Sequence, residues 1–235
     1  MLFLTSLTNK LTLKKYTMKS LTLITLFSCI CLLATAEVIQ LPAPNLAEGT
    51  TLAEAIQKRK TDRTFSNREL PPQILSNLLW AANGINRPES GKRTVPAAIA
   101  KYAIRLYVLT ANGAYLHDYQ KNTLTLVNPK DLRAYAEGRG TMGPAAGAVI
   151  LMVADMDIFQ HSSPAGRPAS PREKSTLWIG YESGSIGQDI YLYCASAGLH
   201  AVCCASLNED ALTTALDLNG SVKPIMDVIV GYPAE

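Results

Sequence analysis

The segment Arg59-Lys60-Thr61-Asp62-Arg63-Thr64-Phe65 places three cations within five residues, with a hydroxyl group between them. It directly follows a short helical pattern over residues 52–56. Cations at the end of a helix, with a Thr hydroxyl in reach, can hold a phosphate through charge-assisted hydrogen bonds. The same cations also complement the negative end of the helix dipole, which is the simpler interpretation. The segment alone favours that simpler interpretation, so the rest of the chain has to decide.

The size and composition of the chain are those of one globular domain. It has 235 residues, of which 48% are apolar and 17% are charged, so it can bury a sizeable core and is not a disordered chain. The net charge of +3 is small, and the sequence has no basic stripe with interleaved aromatic residues. These observations argue against a nucleic-acid partner.

The first 36 residues are typical of a secretory signal peptide. Several lysines precede an apolar run over residues 21–33, which ends in Ala34-Thr35-Ala36. The run is too short for a confident membrane span. Met18 is a second candidate start, which would leave residues 1–17 untranslated. We expect cleavage between Ala36 and Glu37 and an exported, periplasmic protein.

A lipoprotein signal that is cut before Cys29 is the less favoured alternative, because Phe27 is unusual in that motif. After the expected cleavage between Ala36 and Glu37, the mature chain holds Cys194, Cys203 and Cys204, an odd number. Adjacent cysteines in a strand point to opposite faces, and no spacing suits zinc. We therefore expect small buried thiols, with neither a disulfide framework nor a metal site.

The mature chain is expected to have an extended tether over residues 37–49, marked by Pro42 and Pro44, and then a single domain over residues 50–235. Periodicity and capping residues predict helices over residues 52–59, 70–84, 129–137, 177–197 and 209–216. They predict strands over residues 103–109, 114–119, 123–127, 148–153, 201–205 and 225–230. The two long loops are residues 85–98 and 156–175, the second of them a candidate lid. This order favours an α+β sandwich around one mixed, mainly antiparallel sheet.

The common catalytic motifs are missing from the sequence. It contains no P-loop and no Rossmann glycine fingerprint. Glu182-Ser183-Gly184-Ser185 lacks the leading Gly of a nucleophile elbow. The three histidines, at positions 117, 161 and 200, form no triad pattern. A secreted hydrolase is therefore the weakest of the functions considered.

Several short motifs, in their order and spacing, resemble the FMN-dependent nitroreductase superfamily, including its SagB-like branch. Residues 56–65 are similar to the family pattern R-R-S-x-R-x-F. The other matching stretches are residues 79–84, 93–98, 181–188, 197–199 and 228–233. The resemblance spans about residues 50–233. It implies an α/β/α sandwich and a homodimer that holds FMN at its interface.

The resemblance also implies which residues contact the cofactor. The flavin phosphate or pyrimidine edge would be held by Arg59, Lys60, Thr61 and Arg63. The isoalloxazine ring would lie against Pro96, Ala97 and Ala98. Backbone donors near the reactive flavin nitrogen would come from Glu182, Ser183 and Gly184. The flavin itself carries the chemistry, so no acid or base of the protein is assigned.

The chain departs from the family pattern at three places. Ala97 and Ala98 occupy positions where the family often has Ser. The chain ends two residues after Pro233, where many relatives add a Lys or Arg for the phosphate. The Lys-Tyr pair of the thiazoline dehydrogenases is not matched by Lys174, so we do not expect azoline oxidation.

The function expected from these features is that of an exported, FMN-dependent oxidoreductase with ping-pong electron transfer to a small substrate. NAD(P)H is scarce outside the cytoplasm, so the electron donor is either NAD(P)H or a membrane component or another protein. The alternative is a flavin-binding or flavin-free binding module that kept the fold without redox turnover. The sequence does not identify the substrate.

Overall fold

A central sheet of seven strands organises the domain. The computed structural model describes residues 37–234 apart from residues 46, 48 and 161–170. The strands are β1 (Val38–Gln40), β2 (Ile85–Arg87), β3 (Lys92–Arg93), β4 (Ile104–Thr110), β5 (Gly113–Asp118), β6 (Thr123–Asn128), β7 (Ala148–Asp155), β8 (His200–Cys204) and β9 (Val222–Gly231). The order in the sheet is β1-β6-β5-β4-β7-β9-β8, and β2 and β3 form a separate hairpin. Every ladder among these strands is antiparallel.

Helices cover both faces of this sheet. They are α1 (Leu52–Lys58), α2 (Pro72–Asn83), the single turn α3 (Met142–Ala145), α4 (Arg172–Ala197) and α5 (Glu209–Ala215). Two 3₁₀ turns lie at Ala98–Ala100 and Arg133–Tyr135. The expected α+β sandwich with a mainly antiparallel sheet is therefore confirmed. No helix of the described residues is both long and apolar enough to span a membrane.

Strand β7 is the centre of the core because both of its faces are apolar. The side chains from Ala148 to Ala154 have no exposed surface. Ile150 and Met152 face one core, where Leu78 of α2 and Ile186 of α4 also pack. The alternate residues of β7 face a second core beneath α5. A strand that is buried on both sides reads as a continuous apolar run, as predicted here.

The ends of α1 and α4 fix the position of the cationic segment. Helix α1 begins with a capping box, in which Thr51 accepts from the Glu54 N–H and Glu54 accepts from the Thr51 N–H. It ends at Lys58, so Arg59 is the first residue of an extended segment. Helix α4 ends at Ala197 and is capped by Gly198, whose φ of 70° suits glycine.

The expected tether is in part a strand. Val38–Gln40 pairs with β6 at the edge of the sheet, and Leu41 is buried. Pro42 and Pro44 follow the strand and do not interrupt it. Residues 37–41 therefore belong to the folded domain, because their backbone groups complete the ladder of β6.

Other predicted elements are corrected by the structure. The predicted helix over residues 129–137 is only a 3₁₀ turn, because Arg133 turns inward to bond Asp131 and the Ala146 carbonyl. The predicted loop over residues 85–98 contains the β2–β3 hairpin. Helix α4 begins at Arg172, five residues earlier than predicted. Of the candidate lid, residues 161–170 lie outside the described part of the chain.

Candidate functional site

A cleft of about 820 Å³ lies at the β8 edge of the sheet. Its walls are the segment from Glu137 to Met142 and the loop that follows β8. Arg63 of the cationic segment also lines it. Arg63 is held there by its neighbours, since the Asp62 N–H donates to the Ala201 carbonyl (3.0 Å) and the Thr64 carbonyl accepts from His200 Nδ1 (2.7 Å).

Two arginines line this cleft with exposed side chains. The guanidinium groups of Arg63 and Arg139 make no hydrogen bond or ion pair with any described residue. Two unpaired cations on one concave surface create a positive potential that attracts anions. The planar guanidinium fork also matches the geometry of a phosphate. The cleft is therefore suited to an anionic ligand.

Glu137 lies in the same cleft, but its carboxylate already accepts hydrogen bonds from its own loop. Its buried carboxylate accepts hydrogen bonds from the backbone N–H groups of Thr141, Arg139 (2.8 Å) and Met142 (3.1 Å). Burial raises the pKa of Glu137, but these donors together outweigh burial and leave the pKa below its usual value. The carboxylate therefore shapes the loop that presents Arg139 and stays charged while doing so.

The loop after β8 offers free backbone donors to the cleft. Ala205 and Ser206 are exposed, and their N–H groups donate to no residue within the described ranges. The loop is fixed at Asn208, whose N–H donates to the Tyr135 carbonyl (2.9 Å) and whose side chain caps α5. Two fixed, unpaired N–H groups can stabilise negative charge on a ligand.

Cys204 lines the cleft, and Asp227 is its direct neighbour across the β8–β9 ladder. Asp227 is fully buried, and neither of its carboxylate oxygens has a hydrogen-bond partner within the described residues. Burial raises the pKa of Asp227 to about 8, with a further contribution from Glu137. Burial likewise raises the pKa of Cys204 to about 11, with Asp227 next in effect. Both groups are mainly neutral at pH 7, so Cys204 is not a thiolate nucleophile.

The other three residues of the predicted phosphate group lie away from this cleft, beside Tyr191 of α4. The Arg59 guanidinium lies 5.3 Å from the centre of the Tyr191 ring, and the Thr61 hydroxyl lies 3.1 Å from the Tyr191 hydroxyl. Lys60 is paired with Asp62 at 3.2 Å. A separate cleft of about 200 Å³ adjoins Lys60 and Tyr191. Of the four predicted residues, only Arg63 lines the large cleft.

The second predicted group surrounds a third depression. Pro96 and Gly184 both line an open hollow of about 580 Å³, together with Tyr181. Ala97 and Ala98 follow directly in the chain and are half-buried. The next residues, Ile99 and Ala100, have positive φ values of 50° and 57°. Positive φ is unfavourable for a β-branched side chain, so this loop is strained. Pro96 and Gly184 therefore line the same depression, whereas Arg63 lines a different cleft.

Residues 182–184, which the resemblance assigns as backbone donors, lie within α4. Glu182 and Ser183 are buried inside α4, where each backbone N–H is used by the carbonyl four residues earlier. The Glu182 carboxylate instead accepts from the N–H groups of Ala103 (3.0 Å) and Ile104 (3.2 Å). It ties α4 to the start of β4.

The residues that the sequence analysis missed are Arg139, Ala205 and Ser206. A signal for Arg139 was available, because it stands between Gly138 and Gly140, and a glycine-flanked cation is typical of an exposed loop. Ala205 was predicted as the last residue of a strand, and Ser206 follows it, ahead of the predicted helix over residues 209–216. That position is a short connection, where backbone donors stay free.

The fold is an α+β sandwich around an antiparallel sheet, with a cleft lined by two arginines at the β8 edge. The chain belongs to the nitroreductase family, because the model of the "Nitroreductase family" matches residues 56–232. This confirms the resemblance that the sequence motifs indicate.

Individual relatives agree with this assignment. A structure from Ralstonia eutropha JMP134, described as a nitroreductase, is 33% identical, with a TM-score of 0.76 over 86% of this chain and 93% of that chain. A protein of Methanocaldococcus jannaschii with the same designation is 20% identical over 85% of this chain and 99% of its own length. A structure from Desulfovibrio desulfuricans, solved in complex with FMN, is 19% identical with a TM-score of 0.54 over 79% of this chain and 88% of that chain.

Proposed function

We propose that this protein is an FMN-dependent oxidoreductase of the nitroreductase type. The observation that carries the proposal is the cleft that combines two unpaired arginines with two free backbone N–H groups. A relative of the same fold was solved in complex with FMN. FMN, when bound, supplies the redox chemistry, taking two electrons from a donor and passing them on to a small substrate in a separate half-reaction.

The residues of the cleft fit this cofactor. Its volume of about 820 Å³ lies within the usual range of small-molecule sites. Arg63 and Arg139 would hold the phosphate, and the N–H groups of Ala205 and Ser206 would face the ring system, where negative charge is stabilised. Asp227 below is mainly neutral at pH 7. Glu137 keeps its charge, but three backbone N–H groups of its own loop partly offset that charge. No step requires an acid or base from the protein.

The absorbance spectrum of the purified protein tests this proposal. We expect flavin absorption bands, either as isolated or after reconstitution with FMN and removal of unbound FMN. Anaerobic addition of NADH, of NADPH and of a reduced quinol then identifies the donor, because bleaching of the bands follows reduction. A protein that binds no FMN under any of these conditions contradicts the proposal. A protein that binds FMN but is reduced by dithionite alone and passes no electrons on is a binding module instead.

We further propose that the working unit is a homodimer, with the depression around Pro96 and Gly184 facing a second copy. Leu177 and Tyr181 are 69% and 60% exposed. They lie four residues apart, on one face of α4. Exposed apolar side chains beside a glycine-lined hollow favour close contact with another protein surface. This arrangement would let Arg63 of one copy and the residues around Pro96 and Gly184 of the other reach one cofactor.

The dimer proposal predicts that the double substitution Leu177→Glu and Tyr181→Glu yields a monomer. Charges placed in an apolar interface lose hydration without gaining partners. Light scattering coupled to size-exclusion chromatography measures the mass, and Thr214→Glu serves as the control, since Thr214 is exposed on α5, which does not line the depression. A wild-type protein that elutes as a monomer overturns the proposal.

A further inference from the structure

Another cleft lies where two neighbouring strands separate. The β4–β5 ladder begins at the Tyr107–Leu116 pair, so Ile104 to Leu106 of β4 have no partner on β5. The gap opens into a cleft of about 430 Å³. Its apolar wall is formed by Ile104, Leu106 and Leu116. None of its lining residues lines the cleft around Arg63.

Arg93 is the main polar group of this cleft, and it is 94% buried. Its guanidinium lies between two aromatic rings, 3.6 Å from the centre of Tyr119 and 4.1 Å from that of Tyr102. Nη1 donates to the Asn83 side chain at 3.1 Å. Nε is buried without a partner, and no described residue accepts a hydrogen bond from Nη2. The Nε–Nη2 edge, which binds carboxylates in a bidentate manner, is therefore free.

The charge of Arg93 has no ion-pair partner among the described residues. Glu182 is near enough to be influenced by Arg93, but its carboxylate is already used by two backbone N–H groups. Asp118, which also lines the cleft, accepts from the N–H groups of Gln120 (2.9 Å) and Lys121 (3.1 Å). A buried, unpaired cation is costly, so an anion from outside the chain would be held strongly here.

His117 supplies a second unpartnered polar atom. It is 92% buried, lines the same cleft, and its Nε2 has no hydrogen-bond partner within the described residues. Burial lowers the pKa of His117 to about 4, so its ring is neutral at pH 7. The interior of the cleft therefore carries the single positive charge of Arg93, with the exposed Arg105 at its mouth. One charge beside an apolar wall suits a monoanion with an apolar body.

We propose that this cleft binds a small organic carboxylate. The carboxylate group occupies the Nε–Nη2 edge of Arg93, Nε2 of His117 completes its hydrogen bonds, and the apolar body lies against Leu106 and Leu116. This site is separate from the proposed flavin cleft and does not depend on the proposed function.

Benzoate and hexanoate are suitable probes, with benzamide and hexanamide as their neutral counterparts. Calorimetry and ligand-observed NMR on the purified protein, with and without added FMN, measure binding. We expect at least one carboxylate to bind, its amide to bind at least tenfold more weakly, and FMN to leave the carboxylate affinity unchanged. Arg93→Lys keeps the charge but loses the fork, and it should weaken binding about tenfold or more. Arg68→Lys is the matched control, because Arg68 also lies over a ring, 4.0 Å from the centre of Tyr232, but outside the cleft.

Thr125→Trp gives a second, independent variant. Thr125 lines the cleft on β6 and does not contact Arg93 through any hydrogen bond, so a larger side chain narrows the cleft while Arg93 stays in place. It should abolish carboxylate binding even if Arg93→Lys does not fold. The proposal is overturned if neither carboxylate binds, if acid and amide bind equally, if FMN displaces the carboxylate, or if Thr125→Trp binds like the wild type. If the protein binds no FMN but binds benzoate through Arg93, the proposed function is contradicted and the carboxylate site is supported.

Discussion

Replacing Arg63 and Arg139 together by glutamine is expected to weaken FMN binding at least a hundredfold. Both arginines line the large cleft without partners in the described part of the chain, so their charges are available to a phosphate. Hydrogen bonds to charged groups contribute about 1.5–3 kcal/mol each, which corresponds to about tenfold or more per arginine. Each single substitution should therefore weaken binding about tenfold. Quenching of FMN fluorescence during titration measures the dissociation constant.

Arg59→Gln is the control for this experiment. Arg59 belongs to the same cationic segment but lies over the Tyr191 ring, so its loss should change FMN affinity by less than about threefold if the large cleft is the site. Affinity should also fall as salt rises, and the double variant should lose most of this salt dependence. If Arg59→Gln weakens FMN binding more than Arg63→Gln does, FMN binds in the smaller cleft beside Tyr191 instead of the large cleft.

Replacing Asp227 by valine is expected to stabilise the protein at pH 7 and above. Asp227 is fully buried with no hydrogen-bond partner for its carboxyl oxygens within the described residues. Its neighbours across the strands are Leu151 and Cys204, and Ile229 packs in the core on the same side. Valine favours strands and leaves no polar atom unsatisfied. The wild-type carboxyl, by contrast, must either stay protonated or be buried as a charge.

The dependence on pH has a definite sign. In the folded state burial raises the pKa of Asp227 to about 8, while the unfolded chain keeps the ordinary value near 3.8. The contribution of the protonated Asp227 carboxyl to the free energy of unfolding is therefore fully present below about pH 4. It is lost as the pH rises towards 8. At pH 7 this effect lowers the free energy of unfolding by ~4 kcal/mol.

Denaturation by urea at several pH values between 5 and 8.5 measures this difference. The difference in unfolding free energy between Asp227→Val and the wild type should increase with pH across this window. Taking a difference removes the opposing contribution of His117, whose pKa is lowered to about 4 and whose loss of stability occurs as the pH falls. Asp227→Asn is the isosteric control and should abolish the slope with a smaller gain in stability. A difference that stays constant with pH would show that the carboxyl is not desolvated.

The elements that were predicted correctly are those with a strong local signal. The apolar run of β7, the stripe of α2 and the glycine that ends α4 are each decided by residues near in sequence. The start of β1 was missed because two prolines follow it, and its pairing depends on β6, far along the chain. The helix expected over residues 129–137 was wrong because a tertiary contact of Arg133 overrides its helical propensity.

The candidate site was predicted less completely than the fold. Arg63 was expected to contact the flavin, but the sequence alone does not separate it from Arg59 and Lys60. The separation arises because Asp62 takes Lys60 as its partner and Tyr191 takes Arg59. The family resemblance placed Glu182 beside the flavin, whereas its buried carboxylate connects α4 to the start of β4. Clefts form between distant segments, so their donors cannot be assigned from local patterns.

The pairing of β1 with β6 has a consequence for the way the chain reaches its final form. Val38 meets Thr125, which is 87 residues later in the chain. At 5–20 residues per second, synthesis of the intervening chain takes roughly 4–17 s, during which the first strand has no partner. Once it is placed, it covers an edge of β6 that would otherwise be open to strands from other molecules. A chain that loses residues 37–41 would therefore expose this edge of β6 throughout its lifetime. Strand β1, the first strand of the domain to be synthesised, thus protects the protein against aggregation.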